Sequence, residues 1–161
     1  MALVDMFLKI EGIDGESPDS ELKDWIHVYG FRLSAVSPRD AFTSQAAGAV
    51  QMSHLTIRTK VDISTPKLFD KVAKNEKIPS AYLRCRKAGG KEQLTYFEVA
   101  IWEVLVVKVQ TGILEAVQGD VVPQCEVELA YGKIKLSAWE QTSKGGGAGG
   151  VYFMFNLMSN S

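Results

Sequence analysis

From Gln93 to Val109 no glycine or proline interrupts the chain. Its β-branched and aromatic residues read as one extended strand. At about 3.3 Å per residue, roughly seventeen residues would reach on the order of 55 Å, where an ordinary strand has about 5–6 residues. Such a strand either bends sharply within one barrel or projects beyond it to pair elsewhere. Phe97, Val99, Ile101, Leu105 and Val107 make one apolar stripe, and Tyr96, Ala100, Trp102, Val104 and Val106 make the other. Two apolar faces imply burial on both sides. A sandwich strand satisfies that requirement, and so does a subunit interface; the interface is the reading adopted.

The segments around it are also strands. Asp5–Ile10 leads into Glu11–Pro18, an acidic corner in which Gly12 and Gly15 permit positive φ and Pro18 sets a bend. In Trp25–Leu33 the larger side chains Trp25, Tyr29, Phe31 and Leu33 share one parity. In Val50–Val61, Leu55, Ile57, Thr59 and Val61 face one way and His54, Thr56, Arg58 and Lys60 the other. Ala81–Lys87 alternates, and Ala88-Gly89-Gly90-Lys91 supplies a hairpin turn into the long strand. Glu126–Trp139 slips phase between Val127/Leu129/Tyr131 and Ile134/Leu136/Ala138, which predicts a bulge at Gly132-Lys133. Val151–Leu157 reads as the last strand.

One helix is expected, over about Thr65–Asn75. Ser64 or Thr65 would cap it, Pro66 suits its first turn, and Leu68, Phe69, Val72 and Ala73 form its apolar face. Lys71 and Lys74 complement its C-terminal dipole, Asn75 is the exit and Pro79 forbids continuation. Alone it falls below the about 12–15 residues a helix needs in water, so it must pack on the sheet. The expected fold class is therefore mainly β: an antiparallel barrel flanked by one short helix, with residues 1–161 forming one domain.

Composition narrows the function classes. Eighteen basic against nineteen acidic residues leave a net charge of −1, so nucleic acid and anionic membranes are poor partners. No run approaches the about 20 apolar residues of a membrane span. Asp5, Lys9 and Glu11 interrupt any secretory leader, which places synthesis and folding in the cytoplasm. Cys85 and Cys125 make no disulfide framework, and Cys85 fits a small buried residue.

No catalytic, cofactor-binding or metal-binding residues are expected. Gly145–Gly150 contains G-x-G-x-x-G, but strand-like Val151–Phe155 follows it where a phosphate site needs a helix. His27 and His54 lack ligand spacing to the cysteines. Glu98 and Glu103 differ in parity, which argues against a paired acid/base site, and no G-x-S-x-G elbow exists.

Several motifs together carry a resemblance. They are Phe7-Leu8-Lys9-Ile10 with Gly15-Glu16-Ser17, then Asp62–Leu68 containing Ser64-Thr65-Pro66. Arg86-Lys87-Ala88-Gly89-Gly90 and Glu103–Val106 follow. In this order and spacing, over about Val4 to Leu157, the chain resembles the haemolysin-coregulated protein family, which builds the inner tube of bacterial type VI secretion machines. The resemblance implies a barrel shared with phage tail-tube proteins, assembled as a homohexameric ring with a wide pore. Rings would stack into a tube inside a contractile sheath, capped by a spike, and effector proteins would be carried in the lumen. The protein would be cytoplasmic before firing and then secreted without a signal peptide. It would be a structural component with no activity of its own and no fused effector domain. Between the second and third strands the family places a loop that reaches an adjacent subunit or ring. Its candidates here are Arg39, Asp40, Phe42 and Gln45, with Phe42 as anchor. The alternative is a monomeric barrel that binds a small ligand in a cavity within one chain.

Overall fold

The computed structural model describes residues 4–87, 94–114, 116, 117, 119–141 and 147–161. Its strands are β1 (Val4–Ile10), β2 (Ile26–Arg32), β3 (Ala35–Val36), β4 (Gln51–Met52), β5 (Leu55–Lys60), β6 (Lys77–Lys87) and β7 (Thr95–Gly112). They continue with β8 (Ala116–Val117), β9 (Asp120–Val121), β10 (Gln124–Ala130), β11 (Lys133–Gln141) and β12 (Gly147–Asn156), and α1 spans Ser64–Lys74. The main sheet runs β10-β5-β2-β1-β6-β7-β11-β12, and β10 also pairs with β7. Six antiparallel strands thus close a barrel, and β11–β12 extend from β7 as a wing. Leu8, Ile26, Leu55, Ile57, Leu83, Val99, Ile101, Val127 and Leu129 fill the interior. Leu68 of α1 joins them, so the helix packs its narrow apolar stripe into this core.

The long strand is resolved by bending. Its core-facing residues are Val99 and Ile101, then Val104 and Val106, all buried. The face switches at Glu103, whose φ of 53° is left-handed. The two stripes expected from strict alternation are therefore spliced into one core-facing row, while on the opposite face Ala100 is buried and Trp102 and Leu105 are partly covered. The same switch crosses the neighbouring strands. Buried Ile78 is followed by buried Ala81 on β6, and buried Tyr131 by buried Ile134 between β10 and β11. Pro79 lies opposite Glu103, between the pairs Ile78–Val104 and Ser80–Trp102. It needs no ladder hydrogen bond there, which is where a strand tolerates proline. Gly132 lies on Glu103's other side, between the pairs Ala130–Leu105 and Lys133–Trp102. A transverse crease thus runs through Pro79, Glu103 and Gly132. The slip expected at Gly132-Lys133 is present, but as a break shared with β7 rather than as one extra residue.

Two other expectations change. Trp25 precedes β2 and packs outside the barrel with Phe7, Leu22 and Tyr82. An extra residue between Val28 and Gly30 then flips the face, so Phe31 turns inward against Ile57. Equal parity therefore does not put Trp25 and Phe31 on one side. Val50–Val61 divides likewise, β4 and β5 being separated at Ser53-His54. Leu55, Ile57 and Thr59 are buried as the pattern expects, while Val61 is exposed.

Candidate functional site and assembly surfaces

The opening motif builds a strap on the outer face of β1 and β6. Gly12 is left-handed at φ 83°, as a turn requires. Gly15 is not; it is glycine because a Cβ there would lie 2.7 Å from the Trp25 carbonyl oxygen and 2.8 Å from Ile26. The Gly15 N–H donates to Asp24 O and the Ser17 N–H to Trp25 O. Glu16 Oε2 accepts from the Ile63 N–H, 3.3 Å away, tying the strap to the start of α1. Phe7 faces the strap and Leu8 the core. Arg86, only 2% exposed, stacks its guanidinium 4.9 Å from the centre of Phe7. It donates to both carboxylate oxygens of Asp19, at 3.2 and 2.7 Å. Those bonds, with support from the Leu22 and Glu21 N–H groups, hold the Asp19 pKa down at about 2. Nothing local in the sequence announces the Asp19–Arg86 pair, whose members are 67 residues apart.

At α1 neither Ser64 nor Thr65 is the N-cap; both are buried within the first turn. Ile63 holds that position without a side-chain cap bond, and Asp62, one residue further out, supplies the bonds: its Oδ1 accepts from the Ser64 N–H at 2.8 Å and from the Ser64 hydroxyl. Pro66 is exposed in the first turn, and Phe69 and Ala73 are exposed too, so the buried stripe is Ser64, Thr65, Leu68 and, in part, Val72. Asn75 ends the helix in the left-handed conformation at φ 55°, its N–H donating to Lys71 O. Lys87 closes β6, while Gly89 and Gly90 lie outside the described residues.

Residues between β2 and β5 form a hairpin arm, with β3 and β4 at its base and an Arg39–Ala46 bridge further out. Asp40 organises the tip: Oδ1 accepts from the Phe42 and Thr43 N–H groups, both at 2.9 Å, and its own N–H donates to Gln45 O. These bonds lower the Asp40 pKa. They leave Phe42 97% exposed at the apex, an arrangement suited to a partner.

The wing carries an apolar surface that alternation alone does not reveal. β12 ends the sheet and pairs only with β11 among the described residues. Phe155, Phe153 and Val151 lie across from Ile134, Leu136 and Ala138. Met154 and Tyr152, across from Lys135 and Ser137, form its other face. Val151 is 76% exposed and Tyr152 66%, with Phe153 and Met154 also exposed. An apolar two-faced strand with a free edge invites pairing or packing.

The polar residues weighed as catalytic are scattered. His27 is half-buried between Phe7 and Tyr29, centroids 5.8 and 5.2 Å away, and burial lowers its pKa. His54 Nδ1 lies 2.7 Å from Glu128 Oε1. Glu98 pairs with Arg84 at 2.5 Å. Cys85 and Cys125 are free and buried, which raises both thiol pKa values, Cys85 to about 11. Among the described residues no group of three His, Cys, Asp or Glu is placed to hold a metal. Gly147–Gly150 begin β12, so strand and not helix follows the glycine run. No described helix is long and apolar enough to cross a membrane.

The family model described as "Type VI secretion system effector, Hcp" matches residues 7–137. The chain is 31% identical to protein hcp1 of Pseudomonas aeruginosa over 160 residues, covering 98% of this chain and 97% of that one. It is similar to the crystal structure of Hcp1 from Salmonella typhimurium, with TM-score 0.78, 27% identity and 99% of each chain covered. A structure described as a type six secretion system protein shares the fold at TM-score 0.86, with 24% identity and 98% of each chain covered. This chain belongs to the Hcp family of type VI secretion proteins.

Proposed function

We propose that this protein is the tube subunit of a type VI secretion machine. Copies of it form a homohexameric ring, and rings stack into an inner tube that sheath contraction expels. The observation that carries this reading is the β11–β12 wing, whose outer strand presents apolar side chains on both faces and a free edge. A permanent interface buries on the order of 2,000 Å² or more. A neighbouring copy laid along the wing would cover that surface and pair the edge, and closing the ring leaves no wing exposed. The arm, with Phe42 at its tip and Arg39, Asp40 and Gln45 around it, projects as a contact to the next ring. Gly15, Glu16 and Ser17, together with Ser64, Thr65 and Pro66, serve the barrel's construction rather than a chemical step. The chain acts as one barrel domain, a structural part with no reaction of its own. Its partners are the sheath, the spike and effectors held in the lumen, and it leaves the cell through the machine itself.

The barrel interior is filled by side chains, which disfavours the single-chain ligand-binding alternative. Light scattering and electron micrographs of the purified protein test the proposal. Six-fold annuli are expected; a monodisperse monomer at micromolar concentration would overturn it.

A further inference from the structure

The arm touches the barrel only at its foot. From Ser34 to Gln51 every residue except Pro38 is exposed, so packing along the arm does not aim it. At the foot the two chain crossings hold each other. The Ser53 N–H donates to Ser34 O at 2.9 Å, and the Ser34 N–H to Ser53 Oγ at 2.9 Å. Those bonds keep the crossings together, and the partly buried Leu33 and Met52 rest against the core at the foot; such apolar contact is non-directional and leaves rotation of the pair against the barrel open.

That rotation is opposed by contacts from β10 and its end. Tyr131 is buried in the core, and its hydroxyl donates to Ser53 O at 2.7 Å. On the outer surface His54 Nδ1 meets Glu128 Oε1 at 2.7 Å. One contact reaches Ser53 from inside the sheet, and the other reaches the next residue from outside. We infer that the Tyr131 hydroxyl is the positioning group that aims the arm, with the His54–Glu128 contact as its outer counterpart. The tyrosine ring is immobilised by the core, so its hydroxyl is a fixed point and Ser53 O is the group that must come to it. Burial raises the Tyr131 pKa to about 12, which keeps the donor proton in place under ordinary conditions. Tyr131 also precedes Gly132 at the break where β10 gives way to the wing. The direction of the arm is thereby tied to the launch of the wing. The two contacts also border a groove of about 630 Å³ at the arm's foot, walled by Phe31, Leu33, Ser53, His54 and Glu128.

The inference concerns each chain separately, so it stands or falls apart from the ring. Its test is hydrogen–deuterium exchange on the full-length protein, comparing the native chain with Tyr131→Phe and Glu128→Gln. Loss of one hydrogen bond should speed exchange of the Ser34 and Ser53 amides by about threefold to tenfold in Tyr131→Phe. Leu55, Ile57 and Val127 should exchange at native rates, and Glu128→Gln should give a smaller acceleration confined to the same foot. Native exchange at Ser34 and Ser53 in Tyr131→Phe would overturn the assignment. So would an equal acceleration across the barrel, since that outcome marks Tyr131 as a packing residue only.

Discussion

Glu103 and Gly132 lie opposite each other at the crease of the barrel, one strained and the other bare. Glu103 holds a left-handed φ of 53° in the middle of β7. A Cβ added to Gly132 would lie 2.5 Å from Glu103 Oε2 and 3.2 Å from Glu103 Cβ. The left-handed conformation costs an L residue about 1–2 kcal/mol. Here it splices two short apolar rows into one core face.

The crease predicts an ordering of variants in urea. Glu103→Gly should change stability by less than about 1 kcal/mol, since relief of the strain offsets glycine's greater unfolded freedom. Glu103→Val, branched at Cβ, should lose about 2 kcal/mol. Gly132→Ala should lose about 1–2 kcal/mol as Glu103 is pushed aside. An unchanged urea midpoint for Glu103→Val would remove strain from the account.

The crease also explains what the sequence conveyed and what it hid. Strand existence follows from composition and alternation, so β1, β5, β6 and the long strand are legible. Facing is not, because alternation fixes a face only while φ stays extended, and Glu103 leaves that region with an ordinary side chain. Pro79 and Gly132 were visible as interruptions, but their common level depends on register, which no single strand encodes. The arm's place was legible only through the family resemblance, and the Asp40 turn that presents Phe42 is what the structure adds. The wing was not legible, since an apolar last strand reads the same whether it is covered or exposed.

The strap predicts an acid response. Asp19 has a folded pKa of about 2, below the usual carboxylate range of about 4. Its contribution is therefore complete above about pH 4 and is lost as pH falls toward about 2. Asp19→Asn leaves the enclosed Arg86 guanidinium with only the exposed Glu21 carboxylate, 3.8 Å away, as counter-charge. The loss should be about 2 kcal/mol at neutral pH, less than the about 3–5 of a fully enclosed pair because the carboxylate partly meets solvent. The variant should also show a shallower decline of stability between about pH 4 and 2. Parallel pH profiles for the two proteins would show that Asp19 does not supply this slope.

Both cysteines should be silent in the folded chain. Burial raises the Cys85 thiol to about 11 and lifts that of Cys125 as well, so little thiolate forms near neutrality and reagents do not reach it. Alkylation followed by mass spectrometry should leave both unmodified in native buffer and modify both in guanidinium. Rapid native labelling of either one would mean that the strand carrying it opens readily.

Two aromatic residues separate ring closure from ring stacking. Phe153 sits on the wing, across from Leu136, and is already 45% exposed within one chain. Phe153→Asp should therefore destabilise the isolated barrel by about 1 kcal/mol or less. At a subunit interface the same carboxylate would be buried unpaired in every copy, a penalty of several kcal/mol per site. Light scattering should then report a folded monomer. Phe42→Ala should alter barrel stability by no more than about 0.5 kcal/mol, because the ring touches little of its own chain. Annuli should persist in that variant while their association into tubes weakens. Intact rings in Phe153→Asp would move the subunit contact away from the wing, and undiminished tubes in Phe42→Ala would free the arm tip of any stacking role.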